Sequence, residues 1–242
     1  MELDKLLDNI NIVFEDNHLL VAVKPHNMPV CEDSSGDWDL LRILKEYLKR
    51  KYNKPGDAFL GLVHRLDRPT GGVVVFAKTT KAASRISESL KAGEVEKKYI
   101  AVLDGVPQEK QSELVHYLLK NEAKNEVVAV PMTTEGAKKA VLDYRVLEVK
   151  NKCALVSINL QTGRTHQIRV QMASIGAPVL YDRKYGKNIP ETPTQMALWA
   201  VEVKLPHPVS REIMAFRVFP PEERIPWKNF NIPLYLNLNI KF

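Results

Sequence analysis

The sequence predicts an α+β protein with a mixed, mostly antiparallel sheet that is flanked by helices. Short apolar segments, separated by turn residues, recur along the 242-residue chain, which is typical of β-hairpins. A few amphipathic helical segments interrupt these strands. The middle of the chain also lacks the regular strand–helix alternation that a doubly wound parallel sheet requires.

The predicted elements follow one another along the whole chain. Strands are predicted at Ile12–Glu15, Leu19–Val23, Leu60–Val63, Val73–Ala77, Tyr99–Leu103, Leu114–Leu119, Ala140–Val149, Ala154–Leu160, Met196–Lys204 and Phe216–Phe219. Helices are predicted at Trp38–Lys51, Thr79–Ala92 and Thr165–Ser174. Val73–Ala77 is apolar on both faces, which favours a central strand. Gly93 suits the C-terminal cap of the second helix, and Thr165 the N-terminal cap of the third.

The composition is that of an ordinary globular protein. Apolar residues make up 45% and charged residues 26%, with 11 glycines and 15 prolines, which excludes collagen-like, coiled-coil and wholly disordered chains. At roughly 100–200 residues per domain, the length allows one large domain or two small ones. Lys and Arg number 35 against 29 Asp and Glu, a net charge of +6, which suits a polyanion such as RNA without requiring one.

Neither the N-terminal residues nor the cysteines indicate export or a metal. Met1–Ile10 lacks the cationic and apolar regions of a signal peptide, and no apolar run approaches the roughly 20 residues of a membrane span. Cys31 and Cys153 form no CxxC pattern, and His64 has no second ligand at helical spacing. We therefore expect a cytoplasmic protein without a metal site.

The densest polar cluster, His64–Gly72, lies between two apolar strands. Asp67 stands there between Arg65 and Arg68, and cations this close favour an ionised carboxylate. In a sheltered site such a carboxylate can act as a nucleophile or base, or stabilise a developing oxocarbenium ion. A salt-bridged structural turn, whose glycines adopt unusual backbone angles, accounts for the same residues.

A second polar cluster, Gln161–Arg169, turns from a strand into a helix. Gly163 permits a tight turn, and Arg164 can project into the same space as Asp67. The start of the helix would also suit a phosphate. A capped surface helix with solvated arginines is the alternative. Tyr99, at the start of a strand, is either a half-buried strand aromatic or a platform for a flipped base.

Motifs for nucleotide cofactors and for a hydrolase nucleophile are absent from the sequence. It contains no GxxxxGK[ST] loop, no GxGxxG after a strand, and no GxSxG elbow. We therefore expect chemistry without a cofactor.

In this order, the two clusters resemble those of the RluA-type pseudouridine synthase family. His64–Gly72 matches the family motif HRLDxxTSG at all but one specified position, and Thr162–Arg169 matches TGRxHQIR. Further similar elements are Lys24-Pro25, Lys98-Tyr99 and the segment from Ala197 to Pro208. The resemblance covers the chain from about Ile10 to Phe219, and the joint occurrence of these motifs is highly specific.

The resemblance implies a pseudouridine synthase fold with a central RNA-binding cleft. It implies an enzyme that isomerises a specific uridine to pseudouridine in a stem-loop of ribosomal or transfer RNA. Asp67 would be the catalytic aspartate and Arg164 its ion-pair partner. Tyr99 would stack on the uracil, Arg65 would help to extrude that base, and Ile168 would pack beside it.

The resemblance also carries expectations about RNA contacts and domain organisation. Arg68, Lys98 and Arg169 would contact RNA. Residues 10–220 would form a single catalytic domain, and 221–242 a tail whose structure the sequence does not indicate. No S4 RNA-binding domain is expected because Ile12 already begins the catalytic pattern. A monomer without cofactor or membrane association is expected.

Three positions depart from the family pattern. Gly71 stands where the family usually has Ser, Trp199 where it often has His, and Asn27 where it usually has Gly. Asn27 is tolerable because asparagine enters left-handed conformations readily. These are supporting positions, so the departures bear on the choice of substrate more than on activity.

Two other functions use the same residues. A nucleosidase or glycosidase could use Asp67, but such enzymes commonly need a second carboxylic acid, and none accompanies the motif. An RNA-binding module without activity could dock by shape and charge. Binding alone would not need a sheltered carboxylate that faces an arginine, which argues against this alternative.

Overall fold

The computed structural model describes residues 2–187, 189, 191 and 194–237, which divide into two compact units. The first unit contains the described residues up to Glu96 and the segment Glu202–Val218. The second unit contains Lys97–Val201 and the described residues from Phe219 onward. Each unit is therefore built from two separate stretches of chain.

The first unit is an antiparallel sheet with helices. Its elements are α1 (Glu2–Asp8), β1 (Asn11–Glu15), β2 (Leu19–Lys24), α2 (Leu40–Lys51), β3 (Gly61–Leu62), β4 (Gly71–Ala77) and α3 (Thr80–Lys91), with the end of β10 (Leu198–Pro206) and β11 (Ile213–Arg217). β2 pairs with β1 and β4, β3 pairs with β4, and β10 pairs with β11, all antiparallel. Every residue of β4 is buried, which confirms the predicted central strand.

The register of β2 and β4 determines where the first polar cluster lies. Lys24, the last residue of β2, pairs with Gly72 near the start of β4. The segment that precedes β4, His64–Thr70, therefore ends beside the end of β2. Helices α2 and α3 begin at the side-chain caps Asp39 and Thr79, which accept from backbone N–H groups three residues on.

The second unit is a longer antiparallel sheet. Its elements are β5 (Glu96–Asp104), β6 (Gln111–Asn121), β7 (Glu126–Val130), β8 (Lys138–Lys150), β9 (Cys153–Leu160), α4 (Gln167–Ser174), the start of β10, a 3₁₀ helix (Trp227–Asn229) and α5 (Ile232–Asn237). The strand order is β5-β9-β8-β6-β7. Leu118, Val127, Ala140 and Val170 form a buried cluster against which Tyr185 packs.

The C-terminal segment, which the sequence left unassigned, contains the 3₁₀ helix and α5. Trp227, Phe230 and Ile232 are buried, and the backbone N–H of Asn231 donates to Glu148 at 3.2 Å. The segment therefore contributes to the core of the second unit. Residues 238–242 of the expected tail lie outside the described residues.

The structure corrects several sequence expectations. α4 begins at Gln167, not at Thr165, because His166 adopts a left-handed conformation (φ 52°) that breaks the helical path before it. Thr165 is therefore not the cap. α1 and β7 were not predicted, and β11 begins three residues before the predicted strand. The left-handed conformation expected for Asn27 is confirmed, with φ 62°.

No helix among the described residues is both long enough and apolar enough to cross a membrane.

Candidate active site

The segment that carries Asp67 is fixed at both ends within the first unit. Before it, Nε2 of His64 accepts a hydrogen bond from the backbone N–H of Val75 in β4, at 3.0 Å. After it, the N–H of Thr70 donates to the carbonyl of Asp67 at 3.0 Å, which closes a turn. His64 is therefore an acceptor that holds the backbone, and Asp67, half-buried, stands on a rigid loop.

A buried lysine anchors the same loop from the end of β2. Lys24 is 0% exposed. Its ammonium group donates to the carbonyls of Pro25 (3.0 Å), Met28 (2.7 Å) and Arg68 (2.9 Å), so each of its three protons has an acceptor. Burial lowers the pKa of Lys24 to about 7, against the opposing attraction of the Asp67 carboxylate.

Arg68, which was expected to contact RNA, is held by an acidic loop that follows β2. Its guanidinium donates to Asp33 at 3.3 Å, to the hydroxyl of Ser35 at 2.7 Å, and to Asp37. The hydrogen bond from Arg68 is the main cause of a lowered pKa at Asp37. An RNA phosphate at Arg68 would therefore compete with two carboxylates. Arg65, by contrast, is exposed.

In the second unit, Gln167 shapes the turn that carries Arg164. Its side-chain oxygen accepts from the hydroxyl of Thr162 at 2.8 Å and from the backbone N–H of Arg164 at 2.9 Å. Its side-chain nitrogen donates to the carbonyl of Val141 in β8 at 3.0 Å. Gln167 is 3% exposed, whereas Arg164 is exposed and donates to the carbonyl of Lys139 at 3.0 Å. The turn is thus fastened to β8, and Arg164 lies on its surface.

Two further motif residues, Ile168 and Arg169, are buried in α4. The guanidinium of Arg169 is bidentate on Asp182, at 2.7 and 2.8 Å, and the residue is only 5% exposed. Burial raises the pKa of Asp182, but the hydrogen bonds and charge of Arg169, together with the backbone N–H donors of Lys184 and Tyr185, outweigh this effect, and the pKa is lowered. Arg169 therefore has a structural role here, and the RNA contact expected of it would require this buried pair to break.

Sequence reasoning missed Tyr185, which connects the start of α4 to β7. Its hydroxyl accepts from the backbone N–H of Val127 at 2.9 Å and lies 2.8 Å from Nδ1 of His166. Arg169 also lies over its ring, 5.0 Å from the centroid. The signal available in the sequence was the segment Asp182–Gly186, where turn residues frame an aromatic residue.

Strand β5 carries the lysines and the aromatic residue of the third motif element. Tyr99 is 7% exposed and pairs with Ile158 of β9. Lys97 and Lys98 are both half-buried. The amine of Lys97 lies close to Gly163, since a Cβ at Gly163 would stand 3.1 Å from it. Burial lowers the pKa of Lys97.

The candidate residues thus divide between the two units. Arg65, Asp67 and Arg68 belong to the first unit. The second unit contains Lys98, Tyr99, Arg164, Ile168 and Arg169. In the first unit the buried Lys24, from the end of β2, holds the motif backbone, and in the second unit the buried Gln167 of the motif itself holds it.

Comparison with known proteins identifies the family. A sequence profile described as RNA pseudouridylate synthase matches residues 18–174, which include both polar clusters. The chain belongs to this family. The RluA-type resemblance seen in the sequence is confirmed, since the curated relatives are named ribosomal large subunit pseudouridine synthases C and D.

Two relatives illustrate how the family members compare. The ribosomal large subunit pseudouridine synthase C of Buchnera aphidicola subsp. Schizaphis graminum is 35% identical over 178 residues, which cover 74% of this chain and 54% of that protein. The synthase D of Zymomonas mobilis is 35% identical over 182 residues, which cover 74% of this chain and 56% of that protein. The chain thus spans about half the length of these relatives.

A solved pseudouridylate synthase structure confirms the predicted fold class. Human RNA Pseudouridylate Synthase Domain Containing 4 superposes with a TM-score of 0.76 at 25% identity, covering 91% of this chain and 93% of that one. A second human protein, RNA Pseudouridylate Synthase Domain Containing 1, has a TM-score of 0.72 at 26% identity.

Proposed function

We propose that the chain is an RNA pseudouridine synthase that acts on a uridine of large-subunit ribosomal RNA, with Asp67 as its catalytic aspartate. The observation that carries this proposal is the family match over residues 18–174, which contains both the Asp67 and the Arg164 motif. The substrate class follows the names of relatives such as the synthases C and D. Transfer RNA is the second substrate class, and the assay below separates the two.

The reaction agrees with the residue types at hand. Formation of pseudouridine breaks the N1–C1′ bond, rotates the uracil, joins C5 to C1′ and releases the C5 proton. A carboxylate near C1′ can stabilise oxocarbenium character, remove the C2′ proton or add covalently, by analogy with glycosidase carboxylates. Each of these roles needs an ionised carboxylate on a fixed backbone. The anchored loop of Asp67 supports such a role.

The other motif residues are assigned by the same resemblance. Arg164 would pair with Asp67 and orient it. Extrusion of a base from its stack costs a few kcal/mol. Stacking on Tyr99, with Ile168 beside the base and Arg65 in the vacated position, would offset that cost. The exposure of Arg65 and the burial of Ile168 suit these roles.

Release of tritium from 5-tritiated uridine tests the activity. Unmodified transcripts of large-subunit ribosomal RNA and of transfer RNA are incubated with the protein, and tritium and free uracil are measured. We expect tritium from the ribosomal transcript and no free uracil. Free uracil would indicate a hydrolase, and binding without tritium release an inactive RNA-binding module. Release from transfer RNA alone would move the substrate to that class.

The variant Asp67→Asn tests the catalytic assignment. Asparagine is nearly isosteric but can act neither as a nucleophile nor as a base, so tritium release should be abolished while the melting temperature and RNA binding persist. Asp57→Asn, which removes an exposed carboxylate from the same unit, is the matched control and should retain activity. Retention of about a tenth of wild-type turnover by Asp67→Asn would contradict the assignment.

A further inference from the structure

The amine of Lys97 loses hydration when the protein folds, and it gains no hydrogen-bond acceptor from the described residues. The residue is half-buried in β5. Among the residues that the structure describes, none supplies a hydrogen-bond acceptor or a carboxylate to its Nζ. Loss of hydration is accordingly the one cause that lowers its pKa, with no attraction from a neighbouring charge to oppose it.

The amine of Lys97 lies close to a glycine of the second motif. A Cβ at Gly163 would stand 3.1 Å from Nζ of Lys97, which is tighter than ordinary van der Waals contact. Gly163 does not have a positive φ, so its backbone conformation is open to other residues. Nζ of Lys97 therefore lies against the turn that leads into Arg164.

An ammonium group in this position is unfavourable unless a ligand supplies hydrogen-bond acceptors to it. A polar group that is desolvated without a hydrogen-bond partner costs free energy, and a charged one costs more. An anion that approaches the turn would supply acceptors to Lys97. Arg164, the next residue after Gly163, is exposed and adds a second positive charge to the turn.

We propose that Lys97 binds a phosphate group of the bound RNA at the Gly163–Arg164 turn. This inference rests on the proposed function, because RNA is the source of the phosphate. It makes Lys97 an RNA-binding residue in addition to Lys98 and Tyr99, which the sequence motif had indicated.

RNA binding by Lys97→Met is the first test. The control is Lys150→Met, which removes an exposed lysine from the end of β8 in the same unit. Dissociation constants for an unmodified large-subunit ribosomal RNA transcript are measured over a range of salt concentrations. We expect Lys97→Met to weaken binding about tenfold, the effect of one lost charge-assisted hydrogen bond. The slope of log affinity against log salt should fall by about 0.7–0.9, and the control should match wild type.

The melting temperature distinguishes binding from a structural role. Removal of an unpartnered amine should leave the free protein as stable as wild type or more stable. A lower melting temperature with unchanged RNA affinity would show that Lys97 serves the fold and would overturn the proposal.

Inorganic phosphate supplies a test that does not depend on the RNA or on the reaction. Phosphate should raise the melting temperature of wild type more than sodium chloride of equal ionic strength, and this difference should vanish in Lys97→Met. If wild type fails to release tritium but this difference is present, the proposed function fails and the anion site stands. If Lys97→Met matches wild type in both phosphate stabilisation and RNA affinity, the anion site is overturned even when pseudouridine forms.

Discussion

Lys24 and Lys97 are two lysines removed from solvent at the ends of β-strands, and they differ in what surrounds their amines. Lys24, in the first unit, donates to three backbone carbonyls within 3.0 Å. Lys97, in the second unit, has no such acceptor within the described part of the chain. Burial lowers the pKa of both. Burial alone therefore does not distinguish a structural lysine from a ligand-binding one. The number of ammonium protons that donate to a protein acceptor does distinguish them.

Among these variants, Lys24→Met should change the free energy of unfolding most. The substitution removes three hydrogen bonds that a charged donor makes to backbone carbonyls, and a hydrogen bond to a charged group contributes about 1.5–3 kcal/mol. We expect the free energy of unfolding, measured with denaturant, to fall by at least about 3 kcal/mol.

Lys81→Met, at an exposed position of α3, is the control and should change the free energy of unfolding by less than about 0.5 kcal/mol. A loss below about 1 kcal/mol in Lys24→Met would show that the carbonyls find other donors, and the contrast between the two lysines would then disappear.

The pH dependence of stability sharpens the same comparison. The pKa of Lys24 is lowered from 10.5 to about 7 in the folded protein. Below about pH 7 both states hold the proton, so its contribution is constant. Between about pH 7 and 10.5 the unfolded chain keeps a proton that the folded protein has lost, so stability rises with pH, by at most about 1.4 kcal/mol per unit.

The difference in unfolding free energy between wild type and Lys24→Met should therefore widen as pH rises above about 7. Titrations in denaturant at several pH values measure this difference. A difference that is constant with pH would place the pKa of Lys24 close to that of the unfolded chain.

The smallest effect should come from the acidic loop that holds Arg68. Asp37→Asn removes one acceptor from an exposed ion pair, so the free energy of unfolding should change by less than about 1 kcal/mol. RNA should nevertheless bind more tightly at low salt, because Arg68 is released from a competing carboxylate. Asp57→Asn removes the same charge elsewhere in the unit and should have a weaker effect. Equal effects of the two variants on RNA affinity would show that the tighter binding comes from the change in net charge alone.

The residues that were predictable from sequence are those whose pattern is local. Val73–Ala77 could be placed at the centre of a sheet because its own residues are apolar on both faces. The clusters around Asp67 and Arg164 could be found because each is a continuous motif. The family match then confirmed the resemblance that these motifs carry.

The features that escaped prediction depend on partners distant in sequence. Lys24 binds the carbonyl of Arg68, 44 positions away, and a sequence does not show which carbonyls will meet at the end of a strand. From the sequence, Arg169 could be a solvated surface arginine. The structure shows that it pairs with Asp182, 13 positions further along the chain. His166 was placed inside a helix because its left-handed conformation has no signature in residue type.

The buried C-terminal segment has a consequence for the chain during its synthesis. Trp227, Phe230 and Ile232 belong to the core of the second unit, whose preceding stretch ends at Val201. A nascent chain that has reached Val218 already contains every motif residue, yet it lacks these three anchors. Domains generally fold as units as they emerge from the ribosome. The unit that holds Arg164 is therefore completed on the ribosome only after the residues of both motifs have been made.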